Sequence, residues 1–121
     1  MYYRVSEYTF YGCSSLTNID LPSGISLIEN RAFAICPIQS ITIPAGVSII
    51  ENYAFEQCPL DEIFFEGNAP SIESNSIPNT YGITVYYISG NTGFSWSLNS
   101  KYNLFTKIER YAVSFDLGDN L

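Results

Sequence analysis

Few side chains in this sequence could support catalysis. Histidine is absent from the 121 residues, which excludes Ser-His-Asp and Cys-His nucleophile systems in their usual form and His-containing metal sites. Asp61 and Glu62 could be proposed as a glycosidase pair, but adjacent strand residues point to opposite faces, so these carboxylates cannot converge on one bond. The sequence therefore predicts a protein that is not an enzyme and uses no cofactor.

Two sets of potential metal ligands recur along the chain. Glu29, Glu51 and Glu73 are spaced by 22 residues, and like charges at strand spacing repel one another. The column could bind Ca²⁺ between neighbouring carboxylates, lie at the positive ends of short helices, or form a solvated face, which we expect. The cysteines, Cys13, Cys36 and Cys58, are odd in number and have no recurring fourth zinc ligand or base beside them. We expect all three to be buried small hydrophobes and predict no metal site.

Composition limits the classes of partner. Twelve acidic residues against five basic ones give a formal charge of −7, and three of the bases, Lys101, Lys107 and Arg110, lie near the C-terminus. Such a chain cannot form a continuous phosphate-binding patch, which argues against nucleic acid and anionic membranes as partners. No apolar run approaches the roughly 20 residues that a membrane-spanning helix needs. A hydrophobic fraction of 46% nevertheless predicts a folded domain.

A tandem repeat of 22 residues organises the chain. The segment Leu16 to Pro22 returns as Ile38 to Pro44, Leu60 to Glu66 and, more weakly, Gly82 to Ile88. A partial copy, Val5 to Cys13, precedes the first full unit. One unit cannot bury its own apolar side, so the units are expected to stack, with parallel strands about 4.8 Å apart.

Each unit is predicted to contain a strand followed by a turn and a short helical segment. Apolar and polar residues alternate in the strand, with the apolar pairs at Ile19/Leu21, Ile41/Ile43, Ile63/Phe65 and Val85/Tyr87. After each strand, one position of the repeat is occupied by Gly or Asn, namely Gly24, Gly46, Asn68 and Gly90. Because Gly and Asn best tolerate positive φ, this column of residues predicts a left-handed turn after every strand. The spacing of apolar residues from Ile50 to Cys58 favours a helical or 3₁₀ turn, which Asn30 and Asn52 could cap in their units.

The string Ile-Thr-Ile-Pro-x-x-Val-x-x-Ile-x-x-x-Ala-Phe-x-x-Cys, from Ile41 to Cys58, closely resembles the BspA-like leucine-rich repeats. The resemblance covers roughly residues 5 to 94. It implies an α/β-type leucine-rich-repeat solenoid, a right-handed β-α superhelix of about four coils that is dominated by parallel strands. Because the family's members are mostly secreted or surface-attached, it also implies an extracellular or cell-surface location, with roles in adhesion, host-protein binding and scaffolding. Glu66 in place of Pro and Ile77 in place of Phe depart from the repeat, as expected near the end of an array.

Two regions are therefore predicted: a solenoid over residues 1–94 and a C-terminal capping segment over residues 95–121. A solenoid's last coil exposes a sheet edge, and the alternation from Tyr111 to Leu117 is typical of a strand that could cover it. At the other end, Met1 stands almost directly before a half-repeat. The chain is expected to be the closing piece of a longer array or to cover its open end with a second copy as a homodimer.

The strand positions that point away from the core form the predicted binding surface. Phe64 and Tyr86 are one repeat apart and would stack as an exposed pair. The pair could anchor a protein partner such as a host or extracellular-matrix protein, bind carbohydrate together with Trp96, stabilise the sheet, or be covered by the cap. Non-catalytic protein binding or adhesion is the predicted function, with carbohydrate binding as the alternative. The candidate surface comprises Asn18, Asp20, Ser40, Thr42, Glu62, Phe64, Thr84 and Tyr86.

Overall fold

The chain coils through two parallel β-sheets. The computed structural model describes residues 3–73, 75–77, 83–88 and 90–94 and the backbone of the strand Tyr111–Val113. In these residues the strands are β1 (Tyr3–Val5), β2 (Ile25–Ile28), β3 (Ser40–Ile43), β4 (Ile49–Ile50), β5 (Glu62–Phe65), β6 (Ser71–Ile72), β7 (Thr84–Ile88) and β8 (Tyr111–Val113).

From β2 to β7, successive strands of the coiling chain belong alternately to the two sheets. The first sheet has the order β1-β2-β4-β6 and the second has the order β3-β5-β7-β8, and every pairing is parallel. In the second sheet the register follows the repeat, since Ile41 pairs with Ile63 and Ile63 with Val85. The predicted parallel-strand solenoid is therefore confirmed. The first sheet was not predicted, although the β-branched residues of Ile25–Ile28 and Ile49–Ile50 favour strands.

The predicted helical or 3₁₀ segment is wrong: the described residues contain hydrogen-bonded turns there and no helix. The N–H of Ala32 donates to the carbonyl of Glu29, three residues back (3.1 Å), whereas the N–H of Phe33 donates to Ala54 in the next coil (2.8 Å). Local and inter-coil bonds alternate in this way along the segment. A helix would direct every donor to its own coil, so the inter-coil bonds exclude it.

The expected left-handed column is also wrong, since Gly90 (φ 94°) is its one member with positive φ. Gly24 and Gly46 lie in close contact with the preceding coil instead. A Cβ on Gly24 would lie 2.9 Å from the Tyr3 ring, and one on Gly46 would lie 3.3 Å from the Ile25 carbonyl oxygen. Apart from Gly90 and Gly93, the left-handed residues among those described occupy two columns in the turn segments, which are Tyr8, Arg31, Tyr53 and Asn75, and Gly12, Ile35 and Gln57.

The core consists of equivalent side chains stacked coil upon coil. Phe10, Phe33 and Phe55 form a stack with ring centroids 5.2 and 5.3 Å apart and interplanar angles of 7°. Phe33 and Phe55 are fully buried. Parallel columns of Ile, Leu and Val complete the core, among them Ile28, Ile50 and Ile72, and Ile41, Ile63 and Val85.

The first predicted strand, around Ile19 and Leu21, does not form. Both side chains are half-buried against the core, but residues 16–22 have no strand assignment. This segment follows a connection with one extra residue, at Ser14–Ser15, compared with later coils. Among the described residues it also has a neighbouring coil on one side only. The strand β5 pairs with a neighbour on each edge, and these two pairings fix its register. Residues 16–22 have no such pair of neighbours among the described residues.

The C-terminal strand β8 joins the edge of the second sheet. It pairs in parallel with β7, and Tyr111 is the register partner of Tyr86. Most of the predicted capping segment, residues 95–110 and 114–121, lies outside the described residues. The boundary at residue 94 and the capping role stay predictions.

Removing a ring from the middle of the phenylalanine stack should destabilise the fold more than removing one from its end. We expect Phe33→Ala to lower the free energy of unfolding by about 3–5 kcal/mol, because it leaves a cavity between Phe10 and Phe55. Phe10→Ala, at the half-buried end of the stack, is the matched control and should cost less. Urea unfolding followed by circular dichroism measures both, and equal losses would contradict the stacked-coil account.

Candidate interaction surface

The outer face of the second sheet carries most of the predicted surface. Ser40 and Thr42 on β3 are exposed, whereas Glu62 and Phe64 on β5 and Thr84 and Tyr86 on β7 are half-buried. Register pairing aligns them in two rows, which are Ser40–Glu62–Thr84 and Thr42–Phe64–Tyr86. We call these six residues the outer face. Asn18 and Asp20 are exposed but lie in the non-strand segment and do not join these rows.

An aromatic stack and a carboxylate dominate the outer face. The rings of Phe64 and Tyr86 are stacked, with centroids 4.5 Å apart and an interplanar angle of 9°. The Tyr86 hydroxyl donates to Oε2 of Glu62 (3.2 Å), and the Ser40 hydroxyl donates to Oε1 (3.1 Å). Glu62 therefore connects all three strands through its carboxylate. The predicted stack is present, but its two residues are half-buried rather than exposed, and its connection to Glu62 was not predicted from the sequence.

Positive charge lies away from the outer face in the described part of the chain. Its bases are Arg4, on β1 of the first sheet, and Arg31, in a turn segment. Nη1 of Arg4 lies 3.7 Å from Oε2 of Glu29, and Nε of Arg31 lies 3.4 Å from Oε1 of Glu56. Among the described residues, then, no base lies beside Glu62, and the charge of the outer face is negative.

Arg31 belongs to a cluster that the sequence interpretation missed. Its guanidinium carbon lies 4.4 Å from the centroid of the Tyr53 ring, and its Nε donates to Oε1 of Glu56 (3.4 Å). Both partners belong to the next coil, so the arginine connects two coils through an aromatic face and a carboxylate. The signal that could have found this cluster is that an Arg and a Tyr occupy equivalent positions of successive repeats.

The glutamate column forms hydrogen bonds between coils. Oε1 of Glu51 accepts from the backbone N–H of Asn30 (3.1 Å), and Oε1 of Glu73 accepts from that of Asn52 (3.0 Å). Each carboxylate thus satisfies a donor in the preceding coil. The expectation of a solvated face is wrong for Glu29 and Glu51, which are half-buried. These bonds account for the column without a cation, and the described residues contain no group of three or more Asp, Glu, His or Cys side chains placed to hold a metal.

The cysteines differ in exposure. Cys36 and Cys58 are buried free thiols, and Cys58 donates to the carbonyl oxygen of Phe33 (3.0 Å). Burial raises the pKa of the Cys58 thiol to about 11 and also raises that of Cys36. Cys13 is exposed, which corrects the expectation that all three are buried. The described residues place no further coil over the first one, so Cys13 is not enclosed.

The N-terminal end of the solenoid has an apolar cleft. Its lining includes Val5, Phe10, Ile19, Leu21 and Ile25. The expectation that a second copy covers this end stays a prediction. Separately, the described residues contain no helix with the length and hydrophobicity needed to cross a bilayer.

Parallel strands that repeat every coil, with equivalent side chains stacked between them, define a solenoid repeat protein. Residues 2–97 match the family model described as BspA type Leucine rich repeat region (6 copies), and the chain belongs to this family. The resemblance noted from Ile41 to Cys58 is confirmed by this match. Repeats of this type suggest a protein-interaction module and are typically not catalytic. No curated protein and no solved structure matches the chain.

The inter-coil role of Glu51 can be tested against calcium binding. Glu51→Ala removes the acceptor for the Asn30 N–H, and we expect it to lower the free energy of unfolding by about 1 kcal/mol. Glu51→Gln keeps an acceptor oxygen and should stay within about 0.5 kcal/mol of the unmodified chain. Millimolar Ca²⁺ should leave the melting temperature unchanged. A calcium-dependent increase that Glu51→Gln abolishes would show that the column binds the ion.

Thiol labelling distinguishes the three cysteines. At mildly alkaline pH an aromatic disulfide reagent should modify Cys13 rapidly, because it is exposed. Cys36 and Cys58 should react only as the chain unfolds, because their thiols are buried and their raised pKa values keep them protonated. Mass spectrometry after timed labelling measures each site, and Cys13→Ser provides the control. Rapid labelling of Cys58 in the folded chain would contradict the core assignment.

Proposed function

We propose that this chain is a non-catalytic module that binds a protein partner with the outer face of its second sheet. The observation that carries the proposal is the Phe64–Tyr86 stack, which presents two aromatic rings on a regular sheet surface. Aromatic residues supply a large share of binding energy at protein interfaces. The family's repeat type supports the same class of function.

The surroundings of the stack suit an interface anchor. Ser40, Thr42 and Thr84 surround the rings with short polar side chains, which can form a polar rim around an apolar centre. The strand pairings of β5 with β3 and β7 hold the backbone of both rings in place. A partner therefore meets a preorganised surface, and little conformational entropy is lost on binding.

The finer proposal is adhesion at a cell surface or outside the cell, with a host or extracellular-matrix protein as partner. It rests on the family resemblance, since secreted and surface-attached members are its usual form. Carbohydrate binding through the same rings is less well supported. A sugar packs on the face of an aromatic ring, and the stacking of Phe64 on Tyr86 leaves fewer ring faces for such contact than two separate rings would.

The test compares two double variants of the full chain. Phe64→Ala/Tyr86→Ala removes the stack, whereas Leu27→Ala/Ile49→Ala removes an apolar pair from the outer side of the first sheet and is the matched control. Binding to a panel of immobilised extracellular-matrix proteins is measured by surface plasmon resonance. We expect the first variant to weaken binding by at least about tenfold, which is typical of a hot spot, and the control to leave it unchanged.

Thermal unfolding of both variants shows whether they remain folded at the assay temperature. No binding to any member of the panel, or equal losses in the two folded variants, would contradict the proposed surface. A glycan array probed with the unmodified chain separates the two ligand classes. Glycan binding that depends on Phe64 and Tyr86, without protein binding, would replace the proposal with the carbohydrate alternative.

A further inference from the structure

We infer that the outer face receives an arginine side chain from a basic segment of the protein partner, between the Phe64 ring and the Glu62 carboxylate. The inference rests on the proposed function and specifies the chemistry of that partner. A guanidinium is planar, so it can lie on an aromatic face while its edge donates to a carboxylate. The outer face places these two groups on one strand, two residues apart.

The proposed arginine contacts the face of the Phe64 ring that is turned toward β3. Tyr86 stacks on the side toward β7, because β5 lies between β3 and β7 in the sheet. On the β3 side the register partner is Thr42, which is exposed and has a short side chain. The space above Thr42 is therefore bounded by the ring face of Phe64. Glu62 and Phe64 are about 7 Å apart, the distance between alternate residues of a strand, so a side chain that lies on the ring can also reach toward the carboxylate.

Glu62 is held in position for such a contact. Its two carboxylate oxygens accept from the hydroxyls of Ser40 and Tyr86, which fix the side chain without neutralising its charge. Each oxygen has lone pairs for a further donor. The carboxylate is also half-buried, so its attraction for a cation is screened less than that of a fully exposed one.

The same chain already binds an arginine in this way. Arg31 lies against the ring of Tyr53 and donates to Glu56, with a further bond from its Nη1 to Oδ1 of Asn30 (3.3 Å), so an aromatic face and a carboxylate together take part in positioning a guanidinium on this scaffold. Phe64 and Glu62 repeat the pair of groups on the outer face. There the described residues supply no base, because Arg4 and Arg31 are paired elsewhere.

Charge favours a basic partner over an acidic or neutral one. The chain has a formal charge of −7, and Asp61 and Glu66, at the two ends of β5, are exposed carboxylates. Their summed field attracts a basic segment and repels an acidic one, which affects the association rate as well as the final contact. An aromatic surface alone would accept many apolar partners, and the carboxylate supplies the preference for a cation.

The test uses two synthetic peptides and the full chain. One peptide carries several arginines between glycine and serine residues, and the other has citrulline at the same positions, which keeps the shape and removes the charge. Binding is measured by fluorescence anisotropy of the labelled peptide at low and at high salt. We expect the arginine peptide to bind with an affinity that falls with salt, and the citrulline peptide to bind at least about tenfold more weakly.

Three variants locate the contact. Glu62→Gln removes the charge and Phe64→Leu removes the ring while keeping an apolar side chain, and each should weaken arginine-peptide binding about threefold to tenfold. Glu7→Gln makes the same charge change at an exposed position that follows β1 of the first sheet, and it should have no effect. Thermal unfolding checks that Phe64→Leu, which also alters the stack with Tyr86, remains folded.

Equal binding of the two peptides, or equal effects of Glu7→Gln and Glu62→Gln, would overturn the inference, because either result shows non-specific attraction. The outcome is separate from that of the proposed function. Suppose that a matrix protein binds the unmodified chain and not Phe64→Ala/Tyr86→Ala, while the arginine peptide fails to bind. The proposed interaction surface would then stand, and only the arginine contact would be rejected.

Discussion

The structure depends on hydrogen bonding between successive coils. No coil can bury its own apolar side, so its strands pair with those of the coils before and after it. Pairing at the repeat offset places each side chain on its equivalent, Ile63 on Ile41 and Phe55 on Phe33. The turn segments follow the same constraint, because alternate N–H groups there donate to the next coil rather than to their own. Core, sheets and turns are therefore consequences of one translational register.

That register also explains residues whose chemistry suggested other roles. The Glu51 carboxylate satisfies the Asn30 N–H of the preceding coil, and the Cys58 thiol donates to Phe33 of the preceding coil. A repeated acidic or thiol side chain in a solenoid is thus a candidate for bonding between coils before it is a candidate for metal binding. The outer face differs, because its residues change from Ser and Thr on β3 to aromatic side chains on β5 and β7. Positions free of the core constraint can vary in this way.

The repeat offset predicted the parallel register, the buried columns and the Phe64–Tyr86 stack, because side-chain direction in a strand follows from position alone. It could not predict the turn segments. Their spacing favours a helix locally, but inter-coil bonds override that preference, and even the β-branched Ile35 takes a positive φ (60°). Nor could it show why Gly24 is glycine, since the close approach of Tyr3 is a tertiary contact. The Glu62–Tyr86 bond joins residues 24 apart, an offset that differs from the repeat.

The outer face is also asymmetric along the solenoid axis. Both of its residues on β3 are short and polar, whereas β5 and β7 each carry one ring, so apolar contact area is concentrated toward the strand β8. Because β8 pairs with β7 at Tyr86, this strand continues the same sheet next to the aromatic stack. A partner that covers the stack and extends toward β3 meets hydroxyl groups and the Glu62 carboxylate, whereas one that extends the other way meets β8. If the outer face binds a basic segment, as proposed, we expect that segment to extend from the Phe64 ring toward β3 rather than toward β8.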